Sequence, residues 1–199
     1  MVPTKSYDYK SAKTKELLIS LRKEKLNPPP ATIDGIQLER VRSVRILGIE
    51  LSDDLRWGSH LETQINNAKS TLFLLRRLKF ITTKRDFEYL VNALMIPKLL
   101  YAFPAWCNIP DSYKEKLQVV LNIACRIGDI NQIDIRKLMN DAVLRLYNAS
   151  ENRSHPLHFT QQQPVPHGYS LRRIQSEVPR TRTEKFRRHF VSSAYRLLH

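Results

Sequence analysis

With 199 residues and 42% hydrophobic content, the chain has enough apolar mass for a core, since a chain of this size hides about 70% of its unfolded surface on folding. Its 33 Lys and Arg against 19 Asp and Glu leave a net charge of +14, an imbalance that concerns anionic partners (nucleic acid or a membrane surface) and not the fold. Two cysteines in apolar surroundings, Cys107 and Cys125, argue against a disulfide scaffold and for a reducing compartment, while the opening MVPTKSYDYK lacks the apolar region of a secretory leader and no run approaches the ~18 apolar residues of a membrane helix.

In chain order, residues 1–12 read as a flexible lead-in. Glu16 to Leu21 is a short apolar run bounded by charge, the pattern of a strand. From Lys23 to Pro30 the chain breaks, because three consecutive prolines cannot donate to a ladder. Asp34-Gly35 between Ile33 and Ile36 is a hairpin signal. Val44 to Leu51 reads as one strand interrupted at Gly48 by a bulge or a close approach of another backbone. Together these predict a small antiparallel sheet, marginal by itself and supported by the helix that follows.

That helix is the strongest local signal. Ser59 with Glu62 three residues later has the form of a capping box. After it Leu61, Ile65, Ala68, Leu72 and Leu75 recur at alternating spacings of four and three, one face of a helix. Thr83 with Asp86 opens a second helix lined by Phe87, Leu90, Val91 and Leu94, which Pro97 should end or kink near Ile96. Residues 98–106 are aromatic-rich. Ser112 with Glu115 opens a third helix with Leu117, Val120, Leu121 and Ala124 inside, and a fourth is expected from about Ile133 to Tyr147 with Ile135, Leu138, Met139, Ala142, Val143 and Leu146 inside. Ala149 to Pro166 is polar and aperiodic, a linker. Residues 170–199 carry Arg172, Arg173, Arg180, Arg182, Lys185, Arg187, Arg188 and Arg196 against Glu177 and Glu184, with a short basic helix expected over Lys185 to Leu198.

Several of these stretches together resemble a known family. Leu47-Gly48, then Ser52-Asp53-Asp54-Leu55-x-Trp57-x-x-His60, then a helix ending Leu74-Leu75-Arg76-Arg77-Leu78, is similar to the end of the palm and the start of the thumb in the reverse transcriptases of non-LTR retrotransposons. Pro97-x-Leu99-x-Tyr101-Ala102-x-Pro104-x-Trp106 and Leu117-Gln118 followed by Ala124-x-Arg126-Ile127 match that thumb in order and spacing. Tyr169-Ser170-Leu171-Arg172 with Arg180-Thr181-x-Thr183-x-x-Phe186-x-x-x-Phe190-Val191 resembles the tail of such polyproteins. In the family an aromatic residue commonly precedes the Leu-Gly pair, where this chain has Val44 and Ile46. The resemblance implies a strand at Leu47-Gly48 that steadies a primer end and helices that grip primer–template duplex.

Polymerase chemistry needs carboxylates that hold two metal ions in line with the attacking and leaving oxygens. Asp53-Asp54 is the only Asp pair in the chain and its neighbours, Leu51-Ser52 and Leu55-Arg56-Trp57, make it a turn instead. His155 and His158 lack the companions of a zinc site, five glycines form no phosphate-cradling loop, and Cys107 has no evident activating base. No catalytic residue, metal or cofactor is therefore assigned. Trp57 and Trp106 can stack on bases, though their apolar neighbours favour packing.

Binding remains. Lys69, Arg76, Arg77 and Lys79 crowd the end of the first long helix, with Lys84 and Arg85 at the start of the next. Cations at a helix C-terminus are also ordinary helix chemistry, but two basic clusters meeting at one junction can follow a nucleic-acid backbone by neutralising phosphates. The expectation is thus an α+β chain divided into a lead-in (1–12), a palm-edge and primer-grip sheet (13–55), a helical thumb (56–148), a linker (149–169) and a basic, partly disordered tail (170–199). Its expected role is that of a truncated reverse transcriptase fragment, without polymerase activity of its own, that binds RNA–DNA or DNA duplex through Leu47, Gly48, Lys69, Arg76, Arg77, Lys79, Lys84 and Arg85. No membrane partner is expected, and the palm of the parent polymerase is a candidate partner. Two other classes stay open: a domesticated nucleic-acid-binding or interaction module, and a helical scaffold whose basic tail directs it to membranes or the nucleus.

Overall fold

In the computed structural model, which describes residues 14–20, 27–158 and 189–198, the chain is α+β: short strands come first and helices follow. The lead-in, Leu21 to Leu26, and residues 159–188 of the linker and tail lie outside the described residues. Two compact units are present, one up to Glu62 and one from Thr63 onward.

Among the described residues, the first unit holds three two-stranded ladders in place of the single antiparallel sheet expected. β1 (Lys15–Leu17) pairs in parallel with β4 (Glu39–Val41). β2 (Thr32–Ile33) and β3 (Ile36–Gln37) form the expected hairpin around Asp34-Gly35. The stretch read as one interrupted strand is a second hairpin, β5 (Ser43–Ile46) with β6 (Ile49–Ser52). Its turn is Leu47-Gly48, with φ of 48° and 86°. Positive φ at both central residues is the two-residue turn whose twist matches that of the flanking strands, so Gly48 marks a reversal and not a bulge.

Arg40 ties the first unit together. Its guanidinium meets Glu16 through Nε at 3.0 Å and Nη2 at 3.1 Å, joining β4 to β1. The same group donates to Asn27 Oδ1 and to the carbonyls of Pro28 and Pro29. Prolines have no N–H to pair, so the Pro28–Pro30 segment is held through its carbonyl oxygens.

The turn after β6 explains much of the Ser52–His60 pattern. The Ser52 hydroxyl donates to Asp54 at 2.7 Å, and Asp54 accepts the Arg56 N–H at 2.9 Å and lies 3.4 Å from its guanidinium. Leu55 takes a φ of 53° inside this turn. His60, buried at the start of the next helix, accepts the Glu50 N–H on Nδ1 at 3.4 Å and meets Trp57 edge-on at 6.3 Å. Burial holds its pKa below the ordinary histidine value, which suits a neutral ring accepting on that nitrogen. Trp57 packs here, half-buried.

α1 runs from Gly58 to Leu78. It starts one residue before Ser59, so Ser59 lies in the first turn and is not the cap expected of it. Leu61, Ile65, Ala68, Leu72 and Leu75 are all buried, as their spacing predicts. Burial of a Leu or Ile side chain stabilises by about 1.5–3 kcal/mol, so this face and not local propensity fixes the helix.

In the second unit, Thr83 caps α2 (Lys84–Leu90) by accepting the Asp86 N–H at 3.2 Å, while its hydroxyl donates to the Asp86 carboxylate at 2.7 Å. Phe87 and Val91 are buried; Leu90 and Leu94 are half-buried. Pro97 does not end this helical run. The chain widens into a π-helical turn, Val91–Met95, and continues as α3 (Ile96–Leu99). The wider turn lets the Ile96 N–H reach back to Val91 and relieves the clash a proline ring makes in a regular helix.

The Pro97–Trp106 pattern likewise has a packing account. Leu99 and Trp106 are buried, Ala102 turns the chain with φ 50°, and α4 (Phe103–Trp106) follows. The Trp106 indole N–H donates to the Tyr101 carbonyl at 2.8 Å, and its ring meets Phe103 edge-on at 4.8 Å. Trp106 is therefore core.

α5 (Asp111–Gly128) buries Leu117, Val120, Leu121 and Ala124 as expected, but Pro110 precedes it and Ser112 falls within its first turn. Pro is well placed before a free helix N–H. Gln118 clamps the loop to the next helix, donating to the Ile133 carbonyl at 2.9 Å and accepting the Ile135 N–H at 2.8 Å. α6 (Ile135–Ser150) is capped by Asp134 and buries Ile135, Met139 and Val143, with Leu138, Ala142 and Leu146 half-buried. It extends through Ala149 and Ser150, residues the sequence assigns to the linker.

The last described helix, α7 (Phe190–Leu198), lies within the basic helix expected over 185–198, yet carries only Arg196 of the tail's cations. Val191, Ala194 and Tyr195 are buried, and Tyr195 meets Tyr147 of α6 edge-on at 5.5 Å. Its apolar face docks on α6.

Candidate nucleic-acid interface

Between residues 69 and 85 the sequence has six cations and no acid. α1 carries Lys69, Arg76 and Arg77; a 3-10 turn, Lys79–Ile81, adds Lys79; α2 opens with Lys84 and Arg85. All six side chains are exposed. Lys69, Phe73 and Arg76 follow i, i+4, i+7 and share one side of α1. The junction is held by its own hydrogen bonds: Thr82 Oγ1 donates at 2.9 Å to the Leu78 carbonyl at the end of α1, and Thr83 caps α2.

Helix chemistry explains some of these charges. Arg76 and Arg77 complement the negative end of the α1 dipole. Lys84 and Arg85 lie at the positive end of α2, where a cation is disfavoured. Lys84 finds Asp129 at 3.3 Å, an exposed pair of the kind that contributes at most about 1 kcal/mol. Among the described residues no ion pair involves Lys69, Arg76, Arg77, Lys79 or Arg85. The Arg77 guanidinium lies 5.4 Å from the Phe73 ring centroid, and that of Arg85 5.8 Å from Tyr89.

Leu47 and Gly48 belong to the first unit and stand outside this helix–turn–helix. They form the tip of the β5–β6 hairpin, with Leu47 85% exposed. The turn itself requires Gly48, independent of any approach by nucleic acid.

Charge counting passes over a second component. Phe80 is 87% and Ile81 79% exposed, in the turn between the two basic clusters. The signal is present in the sequence: continuing the alternation of fours and threes beyond Leu72 and Leu75 leads to Lys79 and Thr82, so Phe80 and Ile81 fall off that register.

The remaining candidates are structural. Asp54 closes the turn described above. The His155 backbone N–H donates to Asn152, His155 Nδ1 accepts the Leu157 N–H, and His158 Nδ1 lies 3.1 Å from the Ser150 carbonyl. Burial pushes the Cys107 thiol up to about 12, so at neutral pH it is a protonated core residue and not a nucleophile. No helix of the described residues is long and apolar enough to cross a membrane. Comparison with protein-family models, with curated proteins and with solved structures finds no match to this chain.

Proposed function

We propose that the chain binds nucleic-acid duplex, RNA–DNA or DNA, by neutralising backbone phosphates with the α1–α2 junction, in the manner of the thumb of a non-LTR retrotransposon reverse transcriptase. The observation that carries this reading is the run of six exposed cations without an acid, two of them at a helix N-terminus where the helix dipole disfavours them. Such a surface contacts phosphates and reads no bases, so affinity should be nearly independent of sequence. The Pro97–Trp106 and Leu117–Ile127 patterns then belong to the packing of the unit that carries the junction. A role in presenting the primer end falls to the Leu47-Gly48 hairpin tip.

The test is fluorescence anisotropy with a labelled RNA–DNA hybrid. Changing Arg76, Arg77, Lys84 and Arg85 together to Ala should weaken binding at least tenfold for hybrids of unrelated sequence alike. Unchanged affinity in a folded variant would remove the junction from the site.

A further inference from the structure

We propose that Phe80 and Ile81 form an apolar cap for the end of a base stack, so that the ligand of this junction is an open duplex terminus, whose last base pair has an uncovered face, and not continuous duplex. The inference rests on the phosphate-binding reading above and names its substrate more narrowly. Side chains of these two residues project from a short turn fixed on both sides, by the Thr82 bond to Leu78 and by the Thr83 cap, so their exposure is set by the turn's framework. Cations flank them in both chain directions: Arg76, Arg77 and Lys79 before, Lys84 and Arg85 after. The inner bases of a continuous duplex are covered by their neighbours and offer an apolar group only groove edges. A terminal base pair offers an open π-face with a phosphate strand on either side, which matches an aromatic residue between two cationic clusters. Base–aromatic stacking tolerates any sequence, as the phosphate contacts do. Arg77 against Phe73 and Arg85 against Tyr89 keep further rings beside guanidinium groups at the edges of the patch.

The test uses the full chain with three labelled ligands of equal duplex length: a blunt RNA–DNA hybrid, one with a single-stranded overhang, and a dumbbell whose ends are closed by loops. Loss of one stacked base typically weakens binding about 5- to 160-fold. Open-ended ligands should therefore bind the unmodified chain several-fold to tens of times more tightly than the dumbbell. Phe80→Ala with Ile81→Ala should erase that preference without changing the salt dependence, and Phe80→Trp should keep it. Equal binding of all three ligands by the unmodified chain, or a preference that survives the double substitution, would overturn the cap while leaving the phosphate grip intact. No binding of any ligand at low salt by the folded chain would overturn both. Binding to phosphatidylserine vesicles that is lost in the double variant, with end preference unaltered, would make the patch a membrane face and overturn the proposal.

Discussion

Gly128 closes α5 directly beneath Phe87 of α2. A Cβ built on Gly128 falls well within van der Waals contact of the Cδ1–Cε1 edge of the Phe87 ring. Replacement by Ala thus sets two effects of opposite sign against each other. Helix propensity favours Ala by about 1 kcal/mol in a helix interior, and by less at a last residue. Overpacking a well-filled core costs about 1–3 kcal/mol, because the obstructing atoms must move off their rotamer. Phe87 is 1% exposed, so its ring has little room to retreat, and the clash wins. Gly128→Ala should destabilise the chain by about 1–2 kcal/mol, read as a lower urea midpoint of the helical circular-dichroism signal at unchanged slope. In a Phe87→Leu background the same substitution should cost less by about 1 kcal/mol or more, since the obstructing ring is gone; contacting residues commonly couple by about 0.5–3 kcal/mol. A neutral or stabilising Gly128→Ala, or an equal cost in both backgrounds, would refute this account of α2–α5 packing.

The hydrogen bonds from Arg40 hold the Glu16 carboxyl below the usual glutamate range. A folded pKa below the unfolded one contributes stability that is complete above the unfolded value and fades as pH falls through the folded value. The gap in urea midpoint between wild type and Glu16→Gln should therefore be widest near neutrality and close in acid, and an NMR titration of Glu16 should shift upward in Arg40→Ala; a gap that widens on acidification would contradict the sign. Leu47 holds a φ of 48° while 85% exposed. Asn tolerates that conformation and favours this turn, so Leu47→Asn should stabilise the β5–β6 hairpin by about 0.5–1 kcal/mol, seen as slower amide exchange at Ile46 and Ile49. Faster exchange would show that the leucine is needed for packing.

How legible the fold was depended on whether a feature was local. The α1 core residues, the Asp34-Gly35 hairpin and the Thr83 cap are short-range patterns, and the structure has all of them. Leu47-Gly48 was hidden because leucine is a poor signal for a position that Asn or Asp usually fills, so apolar residues on both sides merged into one apparent strand. The parallel β1–β4 pair and the reach of Arg40 to Glu16 and Asn27 depend on contacts over more than ten residues, which periodicity cannot report. Ser59 and Ser112 mislead for a different reason: Ser-x-x-Glu is a common spacing, and one residue decides whether the serine is a cap or part of the first turn. In the candidate site the cations were readable from charge alone. Phe80 and Ile81 were not, because an apolar pair beside a helix is ordinarily core, and only their place off the α1 register gives them away. Val191, Ala194 and Tyr195 give the tail helix a buried face that the charge of the surrounding segment masks in the sequence.

If the 69–85 junction neutralises phosphates, binding must fall steeply with salt. Each phosphate contact contributes about 0.9 to the slope of log affinity against log salt on B-form duplex. Six engaged cations would give a slope of about −5, and removing Arg76, Arg77, Lys84 and Arg85 should bring it to about −2. A shallow slope in the unmodified chain, or a steep one that the four substitutions leave unchanged, would contradict the account.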